Sequence, residues 1–141
     1  MKKILIINGP NLNMLGIREP AVYGNRTYAD LCDYIKEAAD RLSAEVDFFQ
    51  SNCEGEICTV IQETLNKYDG IVMNPGAYAH YSYAIHDAIK SVTTPCVEVH
   101  ISDIHTREEF RRTSVTAPAC KAMISGKGFD SYIEGLEMLV K

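Results

Sequence analysis

Arg18 and Tyr23 lie in one connection, Asn8 to Gly24 (NGPNLNMLGIREPAVYG), which is long for a link between a strand and a helix and so suits a binding lid. A guanidinium beside a phenol favours the phenolate and would make Tyr23 a base, although tyrosine ordinarily ionises near pH ~10. A Tyr23 packed on the body with Arg18 in solvent fits the same spacing. Asn11 adds an amide to this loop. Farther along, Glu98 and His100 alternate on a β-rich run and therefore point to one face of a sheet. A carboxylate there can fix the imidazole's tautomer and raise its pKa, as a general acid needs, while a strand-end histidine bonded to a neighbour would look the same. Ile101 and Ser102 follow with two backbone N–H groups and a hydroxyl, the makings of a carboxylate nest.

Two further groups carry weaker signals. Asn74-Pro75-Gly76-Ala77-Tyr78-Ala79-His80 leaves an apolar run through a Pro-Gly turn, which brings Asn74 and His80 to one crevice. Asp87 lies one turn beyond Tyr83 on the next helix, where a solvated face explains it equally well. The run Arg107 to Arg112 (REEFRR) reads either as a salt-bridged helix or, through Arg111, as a contact for a carboxylate or a hydroxyl-rich anion. His80, His86, His100 and His105 have no metal-binding spacing, so no metal site is expected.

The chain that must position these groups has 141 residues, a one-domain length, with 46% hydrophobic and 23% charged residues. That composition excludes a disordered or fibrous protein, and one catalytic domain over 1–141 is expected. A net charge of -5 argues against nucleic acid or anionic lipid as a partner. The opening hydrophobic run Ile4 to Ile7 is too short for a signal-peptide core or a membrane span, and the five cysteines are odd in number and lack Cys-x-x-Cys spacing. The expectation is a cytoplasmic protein with reduced thiols.

Strand candidates at Lys3 to Asn8, Glu45 to Gln50, Gly70 to Asn74, Cys96 to His100 and Ala122 to Ser125 alternate with helical stripes. The stripes are Leu31, Ile35, Ala38 and Leu42, with Thr27 as N-cap; Ile57, Val60, Ile61 and Leu65; Ala84, Ile85, Ala88 and Ile89; and Tyr132, Ile133, Leu136 and Val140. The polar Arg107 to Arg112 suits a short exposed helix. Continuous apolar strands separated by helices imply an α/β fold, a doubly wound five-stranded parallel sheet with helices on both faces and a flavodoxin-like order. Ligands bind such sheets beyond the carboxyl ends of the strands, where Asn8, Gln50 to Asn52, Asn74, His100 and Ser125 stand here.

Set in order, NGPNLNMLGIREPAVYG, QSNCEGEI, NPGAYAHYSYAIHDAI and EVHISDIHTREEFR resemble the signatures of the type II 3-dehydroquinate dehydratases over nearly the whole chain. The resemblance implies a flavodoxin-like fold and a dodecamer built as four trimers. It also implies anti elimination of water from 3-dehydroquinate through an enolate, to give 3-dehydroshikimate in the shikimate or quinate pathway, with no cofactor, metal or Schiff base. By the same resemblance Tyr23 is the base, Arg18 holds its phenolate, His100 is the acid for the departing hydroxyl, Glu98 orients His100, and Asn11 organises an enolate-stabilising water. Asn74, His80, Ile101, Ser102 and Arg111 would bind substrate, Asp87 would reach a neighbouring subunit's site, and Arg107 would close the lid or serve a subunit contact. His86 departs from the family's usual arginine, and Arg112 to Lys127 keeps less of its pattern, with Lys121-Ala122 where Val-Gly is frequent. Both departures are expected to bear on subunit contacts more than on chemistry.

The competing class is a flavodoxin-like domain that holds a nucleotide or flavin at the same strand ends. It predicts a phosphate loop or flavin absorbance; neither the glycines of the first loop nor Gly126-Lys127-Gly128 supplies the first, and a visible spectrum of the purified protein decides the second.

Overall fold

The computed structural model describes residues 1–17 and 19–141, with Tyr23 described through its backbone alone. Five parallel strands, β1 (Lys3–Asn8), β2 (Glu45–Gln50), β3 (Gly70–Asn74), β4 (Cys96–Val99) and β5 (Ala122–Ile124), form one sheet in the order β2-β1-β3-β4-β5. This is the flavodoxin-like order, with its switch point between β1 and β3. The helices are α1 (Pro20–Tyr23), α2 (Tyr28–Arg41), α3 (Glu54–Glu63), α4 (Tyr83–Lys90) and α5 (Asp130–Val140).

The two-residue period of the strands divides the core. Ile4, Ile6, Val72, Val97 and Val99 pack with Leu31 and Ile35 of α2 and Tyr132 and Leu136 of α5 on one face. Leu5, Ile7, Ile71, Met73 and Cys96 pack with Ile57 and Ile61 of α3 and Ile85 and Ile89 of α4 on the other. Each isoleucine so buried contributes about 1.5–3 kcal/mol relative to an exposed one, and this double coverage holds the central strands without a polar face. The predicted N-cap is present: Thr27 accepts from the Asp30 N–H at 3.1 Å, and Asp30 accepts from the Thr27 N–H at 2.9 Å, a reciprocal capping box.

Some details differ from the sequence reading. Leu65 is exposed because α3 ends at Glu63, before the stripe does, and Ala84, although within α4, faces solvent while Ile85, Ala88 and Ile89 are buried. Arg107 to Arg112 forms only a 3₁₀ turn at Glu109–Arg111 rather than a longer helix. His100 and Ser125 stand one residue past their strands.

The carboxyl ends of β1 and β3 are held against each other by two reciprocal turns. The Gly9 N–H donates to the Asn74 carbonyl at 2.8 Å, and a Cβ on Gly9 would lie 2.4 Å from the Pro75 carbonyl oxygen. Gly76 has φ +62°, with the Pro10 carbonyl oxygen 3.1 Å from where its Cβ would be. Only glycine suits both positions, which explains the mirrored Asn-Gly-Pro and Asn-Pro-Gly at these strand ends.

Candidate active site

Beyond the ends of β1, β3 and β4 lies an open cavity. Eight predicted site residues line it: Asn11, Asn74, His80, His100, Ile101, Ser102, Arg107 and Arg111. Glu98 lies directly behind His100. Asp87 is exposed on α4 and does not line the cavity. Arg18 lies outside the described residues, as does the side chain of Tyr23.

Glu98 is fully buried at the end of β4. Its Oε2 accepts from His100 Nε2 at 2.7 Å and from the Ser114 hydroxyl at 2.6 Å, and its Oε1 accepts from the Thr116 hydroxyl. A buried carboxylate is tolerated only when its lone pairs are satisfied in this way. The contact through Nε2 leaves Nδ1 as the imidazole nitrogen for the cavity. When Nδ1 is protonated the ring is a cation beside a carboxylate, so the arrangement stores a transferable proton at a fixed place.

The segment bearing Ser114 and Thr116 is itself pinned. His80 Nδ1 donates to the Thr113 carbonyl at 2.8 Å, His86 Nδ1 to the Val115 carbonyl at 2.8 Å, and the Val115 N–H to the Ala79 carbonyl at 2.7 Å. Burial pulls the His80 pKa below its ordinary value, which favours the neutral ring. Since a carbonyl can only accept, neutral His80 carries its proton on Nδ1 and has Nε2 free as an acceptor for a ligand hydroxyl. His80 also stacks near His100, with ring centroids 6.4 Å apart.

On the other side, Asn74 Oδ1 accepts from the Gly76 N–H at 3.0 Å while its Nδ2 donates to Tyr132 Oη at 3.0 Å. The N–H groups of Ile101 and Ser102 donate to no described protein group, whereas their carbonyls accept from Gly128 and Gly126 at 3.0 and 3.1 Å. Two free donors on an anchored turn suit an anionic ligand. Arg107 donates to Ser102 Oγ at 3.1 Å and lies 3.9 Å from Glu19. Arg111 meets Glu108 at 2.5 Å at the rim.

Asn11 adopts a left-handed φ of 69°, which asparagine tolerates, and its N–H donates to Asn52 Oδ1 at 3.0 Å. Gln50 Nε2 donates to the Gly9 carbonyl at 3.1 Å. The second sequence motif thus fixes the root of the first loop.

Sequence reasoning missed Ser114, Thr116 and Tyr132. Ser114 and Thr116 belong to the stretch whose unusual pattern was expected to bear on subunit contacts, but they hold the buried carboxylate, and His86 holds the same segment. No local pattern marks a hydroxyl that serves a carboxylate 16 or 18 residues away. Among the described residues, no group of three or more His, Cys, Asp and Glu side chains is placed to hold a metal ion.

Residues 2–140 match the family model described as dehydroquinase class II. The chain is 61% identical over 137 residues to a 3-dehydroquinate dehydratase of Clostridium acetobutylicum, covering 97% of this chain and 95% of that protein. It is 59% identical over 140 residues to one from Caldicellulosiruptor bescii, covering 99% and 97% respectively. The crystal structure of a type II dehydroquinase from Butyrivibrio crossotus superposes with a TM-score of 0.97 at 52% identity, covering 99% of this chain and 98% of that one.

Proposed function

The chain belongs to the class II dehydroquinase family, and from that membership we propose that it is a lyase that converts 3-dehydroquinate to 3-dehydroshikimate. The observation that carries the reading to this chain is the buried Glu98–His100 pair facing a cavity that also presents Asn74, the Ile101 and Ser102 amides and two arginines.

The substrate is a polyhydroxylated ketone with a carboxylate. Its carboxylate suits the Ile101 and Ser102 N–H groups, and its hydroxyls suit Asn74, the His80 Nε2 acceptor and Arg111. The Tyr23 phenolate, favoured by Arg18, takes a proton from the carbon beside the ketone, and the C–H electron pair moves into an enolate. Asn11 organises the water that stabilises the enolate oxygen. The enolate then reforms the ketone, its electrons form the ring double bond, and the C–O bond to the leaving hydroxyl breaks as His100 Nδ1 supplies a proton. One water and a conjugated enone result, and no electrons enter or leave. Positioned donors are what such a step requires, because the charge appears only as the proton departs.

The single catalytic domain, the cytoplasm as the place of action, and a dodecamer made of four trimers belong to the same proposal. The cytoplasmic reading is supported by five cysteines without disulfide spacing; no helix of the described residues is long and apolar enough to cross a membrane. The exposed Asp87, outside its own cavity, supports a role at a neighbour's site, with Arg107 on the lid side of the cavity or at the subunit contact.

The test is an ultraviolet assay for the conjugated enone, run on the wild type and on Tyr23→Phe. The expected result is robust turnover by the wild type and a fall of about 10²–10⁴-fold in a folded Tyr23→Phe protein. A wild type that forms no enone would refute the activity, and a fully active Tyr23→Phe would refute the base.

A further inference from the structure

A second buried network lies on the α2/α5 side of the sheet. Asn8 ends β1, Asn74 ends β3, and the two are paired in register. Between them, Tyr132 reaches up from α5, fully buried. Its hydroxyl accepts from Asn74 Nδ2 at 3.0 Å and donates to Asn8 Oδ1 at 2.5 Å, and Asn8 Nδ2 continues the chain to Tyr28 Oη at 3.4 Å.

The direction of this chain follows from one group that cannot reverse. The Gly76 N–H can only donate, so the Asn74 atom facing it at 3.0 Å is Oδ1. Nδ2 must then face Tyr132, whose oxygen accepts there and sends its only proton to Asn8. Were the tyrosine proton turned toward Asn74, two donors would meet in a buried place, at the cost of an unsatisfied polar group. Burial pushes the Tyr132 pKa far up, so the hydroxyl keeps that proton. With Oδ1 and one Nδ2 hydrogen engaged, the second Nδ2 hydrogen is what Asn74 has left for a cavity ligand.

The geometry points to Tyr132 as a positioning residue for substrate binding: its hydroxyl, with the Asn8 carboxamide behind it, locks the Asn74 amide so that an N–H is presented to a substrate oxygen. This rests on the dehydratase reading above. The residue touches no substrate and acts only through Asn74, so its removal weakens binding while leaving the Glu98–His100 proton donor as it was.

The experiment is steady-state kinetics with 3-dehydroquinate on the wild type, Tyr132→Phe, Asn74→Ala and the double variant, with circular dichroism to confirm folding. Tyr132→Phe should raise KM about tenfold, keep kcat within about twofold, and leave the pH profile of kcat unmoved. In the Asn74→Ala background the same change should add less than about twofold, because the group it positions is gone. Asn8→Ala removes the acceptor of the tyrosine proton and should raise KM in the same direction, and it carries the test alone if Tyr132→Phe does not fold. An active wild type with a KM unmoved by Tyr132→Phe, or equal losses in both backgrounds, overturns this inference alone. A wild type with no dehydratase activity overturns the functional reading and this inference with it.

Discussion

Glu98 and Glu108 are both carboxylates near one cavity, held by opposite means. Glu98, at the wall formed by the strand ends, is fully buried and accepts from one imidazole and two hydroxyls. Glu108, at the rim, is 54% exposed in its side chain and meets a single arginine, Arg111. The hydrogen bond from Arg111 holds the Glu108 pKa below the usual carboxylate range, yet water competes for both partners. In the wall, each group is oriented by partners that cannot be replaced by solvent, so geometry is fixed before a ligand arrives. At the rim, exposed pairs can exchange one partner for another, so Arg111 can leave Glu108 for a ligand hydroxyl. The division suits a reaction that needs a proton donor in one fixed place and a substrate that must enter and leave.

The largest way to break the wall is to remove its proton donor. His100→Ala should lower kcat by about 10²–10⁴-fold, whereas Glu108→Gln at the rim should leave kcat within about threefold. Enone formation under saturating substrate measures both, and similar losses at the two positions would erase the distinction between wall and rim.

A subtler cut removes one hydroxyl from behind the carboxylate. Thr116→Val keeps the shape and deprives buried Glu98 Oε1 of its donor, so stability should fall by about 1–3 kcal/mol. An exposed substitution such as Glu108→Gln should stay within about 0.5 kcal/mol. Urea midpoints at constant slope report these differences, and an unchanged Thr116→Val midpoint would mean that another group satisfies Glu98.

The smallest expected effect is on pH. His80 has its pKa pulled down by burial first of all, so below the ordinary histidine value near ~6.5 the unfolded chain binds a proton that the fold resists. Its contribution is therefore free of penalty above that value and turns destabilising as pH falls toward the folded pKa. His80→Asn, which keeps a donor toward Thr113, should lose less stability than the wild type between pH 7 and 5.5. Denaturant titrations at the two pH values test the sign, and a larger acid loss in the variant would reverse it.

The sequence alone determined β1, β2 and β3 to the residue, because their apolar or alternating runs are bounded by polar turns and every residue's role there depends on near neighbours. It also determined that Glu98 and His100 share a face, since alternation along a strand is local geometry, and it named eight residues that line the cavity. Only the tertiary structure decided which hydroxyls hold Glu98 and which hydroxyl turns the Asn74 amide. Ser114 and Thr116 come from a stretch without periodicity, and Tyr132 reads in sequence as one more apolar residue on the α5 stripe while meeting Asn8 across 124 residues. A hydrogen bond between distant segments leaves no period or spacing in the chain, because its partners are brought together by the packing of other residues.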